Sequence, residues 1–342
     1  MRVGVLTAGG DCPGLNAVIR AVVRKGVKHY GDEMQGYRDG YRGLAHNDWM
    51  SLDVSGLRGT LPRGGTVLGT SRFNPFAVDG GVDMIKKTFD YNELDAVIAI
   101  GGEGSLSCAL ELHRTGLPIV GVPKTIDNDI GVTERTFGFD TAVAIATEAI
   151  DRLHTTAESH DRVMVVEVMG RHVGHIATWA GLAGGATMTL IPEEPFDIDE
   201  VCDALKRRHG KGRYASIVVV AEGATPKEGT LDMAEAVYDE YGHIRLGGIA
   251  NRVAHEIEAR TDMETRVTIL GHVQRGGTPT AFDRVLSSRY GVAAIDAVHD
   301  GAFGQMVALQ SNSVVRVDLA DAVADLKPVS AELRDVARQF FA

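Results

Sequence analysis

Two short apolar runs, at 95–100 and 118–122, each open into a loop dense in chemistry. The first leads to Gly101-Gly102-Glu103-Gly104-Ser105 and the second to Pro123-Lys124-Thr125-Ile126-Asp127-Asn128-Asp129. Short runs of this kind make strands of a parallel sheet that are buried on both faces. Two such strands in succession put both loops on one carboxyl edge, where open α/β sheets take their ligands. The first loop offers glycine backbone to a phosphate; the second offers two carboxylates, a hydroxyl and an ammonium. A glycine loop alone is often no more than a tight turn. The pair together points to phosphoryl chemistry.

The same pattern recurs along the chain. Strands are predicted at 3–7, 34–37, 163–168, 188–191, 217–221 and 267–270. Helices are predicted at about 15–30, 81–91, 104–114, 139–157, 174–183, 198–208, 247–260 and 281–298. The helix from Phe139 is the best defined, with Ala142, Ile145, Ala149 and Leu153 on one stripe and Glu148 four residues before Arg152. This alternation predicts an α/β protein of two doubly wound domains with mainly parallel sheets. A length of 342 residues also favours two domains. No repeat or linker separates them, so more than one chain crossing or a tight interface must join them.

Charge and composition narrow the function. A net charge of −11 argues against a general binder of nucleic acid or anionic membranes, though a local arginine cluster can still draw a phosphate in. Cys12, Cys108 and Cys202 are too few for a disulfide framework and suit a reducing cytoplasm. No apolar run approaches the roughly 18 residues of a membrane span, and Met1-Arg2 leads directly into a strand, leaving no room for a signal peptide.

The turn Gly9-Gly10-Asp11-Cys12-Pro13-Gly14 admits three readings: a dinucleotide fingerprint, a plain strand-to-helix turn, or a phosphate loop. A dehydrogenase needs an acidic residue at the end of its second strand, and only Asp39 lies near, past that end. The phosphate cradle is the better reading, with glycine amides and a helix N-terminus facing the anion. Arg72, Arg162, Arg171, Arg266 and Arg275 border strands or glycine-rich loops, and bidentate guanidinium groups there suit phosphorylated ligands. Glu222, which ends the strand at 217–221, is placed to accept hydrogen bonds from a sugar hydroxyl.

The motifs GGDCPGLNAVIR, RGGT–LGTSR, GGEGS, PKTIDND, VEVMGR, AEG and LGHVQRGG, in this order, make the chain resemble a 6-phosphofructokinase from Gly4 to about Arg338. The resemblance implies the phosphofructokinase fold, with a donor domain of 1–138 and 274–325 and a sugar-phosphate domain of 139–273 and 326–342. It implies transfer of a phosphoryl group to the 1-hydroxyl of fructose 6-phosphate. Asp127 is then the general base. Thr125, with Gly10, Arg72 and Arg171, holds the transferring group, and Glu103 and Asp129 bear on Mg²⁺. Tyr41, Phe73, Gly102, Gly104, Ser105, Cys108 and Lys124 fall at the donor. Met169, Gly170, Glu222, His272 and Arg275 fall at the sugar phosphate. Arg162 and Arg266 resemble arginines lent by a neighbouring subunit of a homotetramer.

Three positions depart from that pattern or divide it. Glu103 replaces the usual aspartate. Lys124 resembles the pyrophosphate-dependent and mixed branch, whereas Gly104 leaves room for the α-phosphate of a nucleotide that an aspartate would crowd and repel. Because Gly104 decides whether ATP fits at all, the expected donor is ATP, with pyrophosphate as the alternative. Arg20, Arg24, Lys211 and Arg213 resemble parts of an anionic effector site, but Val54 and His154 stand where regulated relatives carry basic residues. A catalytically silent nucleotide sensor and a longer acceptor, sedoheptulose 7-phosphate, are further readings.

Overall fold

Val3, Val5, Leu6 and Thr7 are closed to solvent, as a strand with neighbours on both sides and helices on both faces must be. The computed structural model, which describes residues 1–231 and 247–341, divides into two compact units. One comprises Met1–Thr141 and Arg275–Lys327; the other comprises Ala142–Gln274 and Pro328–Ala342, of which the last residue is not described.

The first unit holds β1 (Arg2–Ala8), β2 (Glu33–Tyr37), β3 (Trp49–Leu52), β4 (Ala96–Gly101), β5 (Ile119–Thr125) and the short β6 (Phe137–Gly138). The second holds β7 (Val163–Val168), β8 (Met188–Leu190), β9 (Ser216–Ala221) and β10 (Thr265–Ile269). The chain then returns to the first unit for β11 (Gln305–Gln310) and β12 (Ser313–Asp318). Helices follow in order: α1 (Leu15–Lys25), α2 (Tyr41–His46), α3 (Gly81–Asn92), α4 (Glu103–Arg114), α5 (Phe139–His160), α6 (His175–Ala183), α7 (Ile198–Gly210), α8 (Ile249–Thr261) and α9 (Ala281–His299).

The sheet of the first unit runs β12-β11-β5-β4-β1-β2-β3, parallel except for β3 and β12 at its two edges, with β6 joined to β5. From β1 the chain first goes to β2 on one side and then to β4 on the other. The switch point therefore lies at the carboxyl ends of β1 and β4, where the turns at Gly9 and Gly102 emerge. Leu6, Val97, Leu106, Ile119 and Met306 pack in a core on one face. The second sheet, β10-β7-β9-β8, is wholly parallel and switches direction between β7 and β10. Its core includes Val165, Val218, Val220, Ile249 and Val253.

The α/β architecture follows the sequence reading, with local differences. The helix expected to continue to Tyr30 passes at Gly26 into a π-helical turn, Gly26–Tyr30, closed by Gly31 at φ 75°. The strand expected at 267–270 is Thr265–Ile269, so Arg266 is its second residue. Glu103 is already helical, as the first residue of α4. Cys12, Cys108 and Cys202 are buried and form no disulfide. Among the described residues, no helix is long and apolar enough to cross a membrane.

Candidate active site

In the first unit, three chain segments meet at the switch point. A Cβ on Gly9, which has φ 80°, would sit 3.1 Å from Ser105 Oγ and 3.7 Å from Lys124 Nζ. This glycine allows both the left-handed turn and the close approach. Lys124 is 3% exposed and donates to the carbonyl of Gly10. Burial pushes its pKa down, while Cys12, Asp11 and Asp127 act in the other direction. Arg275 donates to the carbonyl of Asp11 at 3.2 Å, and a Cβ on Gly10 would strike its guanidinium at 2.7 Å. The turn is thus flanked by two cations.

A second strap carries Arg72 to the same place. Gly9 N donates to Ser71 O at 3.1 Å, Thr70 Oγ1 to Gly9 O at 2.6 Å, and Thr7 Oγ1 to Gly69 O at 2.7 Å. Phe73, next in line, is partly buried against the core.

Helix α4 begins at Gly102 with no side-chain cap, leaving its first-turn amides to water or an anion. Gly104 lies in that turn, and a Cβ there would meet nothing within 4 Å. Packing does not require glycine at this position, although glycine costs a helix about 1 kcal/mol relative to alanine. Tyr41 and Cys108 offer no surface, being 2% and 9% exposed. Tyr41 donates to Ser105 O at 2.7 Å and so supports α4 from beneath, and Cys108 is on the core-facing side of α4 itself.

The loop after β5 carries Asp127, Asn128 and Asp129. Thr125 Oγ1 accepts from Asp127 N at 3.0 Å and also bonds the Asp129 carboxylate. Asn128 takes a left-handed φ of 53°, and its Oδ1 accepts from Thr136 N at 3.0 Å. Burial, then the Asp127 carboxylate, then Glu103 push Asp129 up to about 6. Asp129 Oδ1 is buried with no hydrogen-bond partner among the described residues.

A divalent cation fits this arrangement. Three carboxylates repel one another there, and one buried oxygen lacks a donor. No cluster of three or more His, Cys, Asp or Glu side chains closes a metal cage among the described residues. Mg²⁺ takes one or two carboxylates together with waters and substrate phosphate oxygens. Glu103 is exposed on α4, where it accepts from Ser107 Oγ at 3.0 Å.

In the second unit, the loops after β7 and β9 are stitched together. Glu222 N donates to Val168 O at 2.8 Å and Gly223 N to Gly170 O at 3.1 Å. A Cβ on Gly223 would fall 1.9 Å from Arg171 O. Met169, Gly170, Arg171 and Glu222 are therefore neighbours. Leu270 N donates to Glu167 O at 3.0 Å and Met169 N to Gln274 Oε1 at 3.3 Å, which brings the loop of the exposed His272 to the same carboxyl edge. Arg162 and Arg266 do not join them. They lie toward the opposite end of β7 and β10: at 3.3 Å per residue, Arg162 is roughly 20 Å from Val168 and Arg266 about 13 Å from Leu270 along the strands. His154 has Nε2 2.6 Å from Gly184 O and so donates to its own chain.

Sequence pattern does not point to Lys327, whose backbone N–H donates to Asp129 O at 2.8 Å. Its partners lie nearly two hundred positions away, beyond any local motif. Nor does pattern place Arg275 against the Gly10 turn of the first unit.

Comparison with known proteins gives the family. The phosphofructokinase family model matches residues 2–298. A pyrophosphate–fructose 6-phosphate 1-phosphotransferase of Streptomyces coelicolor is 57% identical over the full length of both chains. An ATP-dependent 6-phosphofructokinase of Mycobacterium tuberculosis is 56% identical, again over both full lengths. The phosphofructokinase of Pichia pastoris superposes with a TM-score of 0.84 at 32% identity, covering 99% of this chain and 36% of that one.

The raised pKa of Asp129 makes a testable statement about stability. The folded state holds that proton up to about pH 6, whereas an unfolded aspartate releases it near pH 3.9. Between those values the folded state binds more protons, so stability is lost as pH rises. In the absence of divalent ions, Asp129→Asn is expected to stabilise the protein at pH 7.5 by roughly 1–2 kcal/mol, with the gain disappearing near pH 4. Thermal unfolding at the two pH values measures it; a variant less stable than wild type at pH 7.5 contradicts the charge crowding.

Proposed function

The chain belongs to the phosphofructokinase family, and on that footing we propose that it moves the γ-phosphoryl group of MgATP to the 1-hydroxyl of fructose 6-phosphate. The observation that carries the proposal is the meeting of the Gly9-Gly10 turn, the uncapped start of α4 and the Asp127–Asp129 loop at one switch point. Donor recognition rests on the first unit and sugar recognition on Met169, Gly170, Arg171, Glu222 and His272 of the second. Arg275, which is expected to orient the sugar, is a residue of the first unit.

The roles follow from chemical type. Asp127, as general base, takes the proton of the 1-hydroxyl while the sugar oxygen attacks phosphorus. Thr125 and the Gly10 amide hold the transferring group, and Arg72 and Arg171 stabilise its developing negative charge. Glu103 and Asp129 would hold Mg²⁺, which when bound offsets the charge of the donor phosphates. Lys124 places an amine donor beside the donor turn. The reaction is a step of glycolysis, and a cytoplasmic setting is in keeping with it.

Overall similarity does not separate the two donors, since relatives named for ATP and for pyrophosphate are almost equally close. The local geometry favours ATP. The space at Gly104 is open, and Lys124 is committed to the Gly10 carbonyl. The second reading, pyrophosphate as donor, draws on Lys124 standing beside the phosphate turn. A panel of ATP, other nucleotides and pyrophosphate, each with fructose 6-phosphate and Mg²⁺, separates them. ATP is expected to be the best donor, and Gly104→Asp to lower its kcat/KM by roughly 10- to 100-fold while sparing any pyrophosphate activity. A wild type active only with pyrophosphate overturns the donor assignment.

Arg162 and Arg266 stand at the wrong end of their strands to reach the other sugar residues of their own unit. This supports a homotetramer in which each chain lends both to a neighbour's 6-phosphate. Asp127→Ala and Arg266→Ala chains, each nearly inactive alone, are therefore expected to regain activity when unfolded together and co-refolded. One site of a mixed pair collects both defects and the other has neither. Co-assembled but inactive mixtures would show that Arg266 serves its own chain.

A further inference from the structure

The loop that follows Asp129 is held in an unfavourable form. Asn128 and Val132 have φ values of 53° and 55°, and a β-branched residue rarely tolerates such a backbone. Something must over-determine the loop. Lys327 does so from the far end of the first unit. Its ammonium donates to Asn128 Oδ1 at 3.1 Å, Thr133 O at 2.7 Å and Glu134 O at 3.1 Å. These are three acceptors for three N–H donors. The main chain adds Lys327 N to Asp129 O at 2.8 Å and an antiparallel bridge between Ile130 and Leu326.

We propose that Lys327 is a positioning residue for phosphoryl transfer, clasping both ends of the 128–134 loop and thereby fixing where the Asp127 and Asp129 carboxylates stand. This rests on the reading of those two aspartates given above. The argument is geometric. Asn128 lies between the two carboxylates, and its side-chain oxygen is shared by Lys327 and the Thr136 amide. Thr136 in turn donates from Oγ1 to Thr125 O at 2.8 Å, so the clasp reaches back to the end of β5. Loss of the ammonium leaves the partly buried Thr133 carbonyl without this donor and frees Asn128 from its left-handed conformation. The carboxylates would then move while the donor turn and the sugar loops stay in place. Burial and the Arg135 guanidinium push the Lys327 pKa down to about 8, while the Asp129 and Glu134 carboxylates act against them. A neutral residue could not supply that balance.

Lys327→Met retains much of the side-chain volume and removes the donors and the charge. It is expected to lower kcat by roughly 10- to 100-fold, the usual effect of misplacing a catalytic group by about 1 Å. KM for fructose 6-phosphate and for ATP should stay within about twofold of wild type. Lys327→Arg should recover most of kcat. Hydrogen exchange gives a readout independent of activity. The Thr136 amide should exchange roughly tenfold faster in Lys327→Met, with Val163–Val168 unchanged. If Lys327→Met is not recovered folded, Lys327→Leu removes donors and charge alike and carries the same test, with exchange at Thr136 as its readout. Unchanged kcat, an effect confined to KM, an equal loss in Lys327→Arg, or unchanged exchange at Thr136 would overturn the proposal. A wild type inactive on fructose 6-phosphate would defeat the functional reading instead, and exchange at Thr136 would still decide the clasp.

Discussion

Electrostatic crowding in the loop after β5 is the constraint on which the site depends. Asp127 and Asp129 project from three consecutive residues at the end of a buried central strand, with Glu103 close enough to add repulsion. Isolated carboxylates in so confined a place would shed their charge. The chain supplies partial relief through the Thr125 hydroxyl, with Lys124 near Asp127 and Lys327 near Asp129. The relief is incomplete, because Asp129 still titrates near 6 and one of its oxygens lacks a donor. A site with unmet negative charge beside an anion-binding turn is suited to a cation and a phosphate that arrive together.

Each unit uses the same architectural device. Its sheet reverses direction once, and the loops on either side of the reversal carry its ligand-facing residues. In the first unit these are the turns after β1 and β4, with β5 beside them. In the second they are the loops after β7 and β10, with the loop after β9 hydrogen-bonded to the first of them. Short backbone contacts explain the glycines in these loops better than flexibility does. Gly223 admits the Arg171 carbonyl and Gly10 admits the Arg275 guanidinium, and any Cβ would exclude them. Gly104 and Gly271 differ, since a Cβ at either would meet nothing within 4 Å, although Gly271 has a left-handed φ of 50°.

Much of the fold was legible because buried parallel strands write themselves as continuous apolar runs. The strands β4, β5, β7 and β9 are all of this type, and their loops name the site. The edge strands β3 and β12, short or half-exposed and paired antiparallel, were not legible, and neither was the largely buried β11 between β12 and β5. The π-helical turn at Gly26 also escaped, since its residues continue the helical pattern. Within the site, motif order marked the residues near one another in sequence. It could not show that Tyr41 and Cys108 face inward, that Arg275 presses on Gly10, or that Lys327 closes the loop of Asn128. Those facts depend on partners far along the chain, which only the folded topology brings together.

The account holds that the chain carries part of a divalent-cation site and that the phosphoryl donor completes it. Paramagnetic titration with Mn²⁺ in place of Mg²⁺, with and without a non-hydrolysable ATP analogue, tests this most directly. Weak binding to the free protein, strengthened at least roughly tenfold by the analogue and lost in Asp129→Asn, is the predicted result. Tight binding to the free protein that neither the analogue nor Asp129→Asn alters would contradict it.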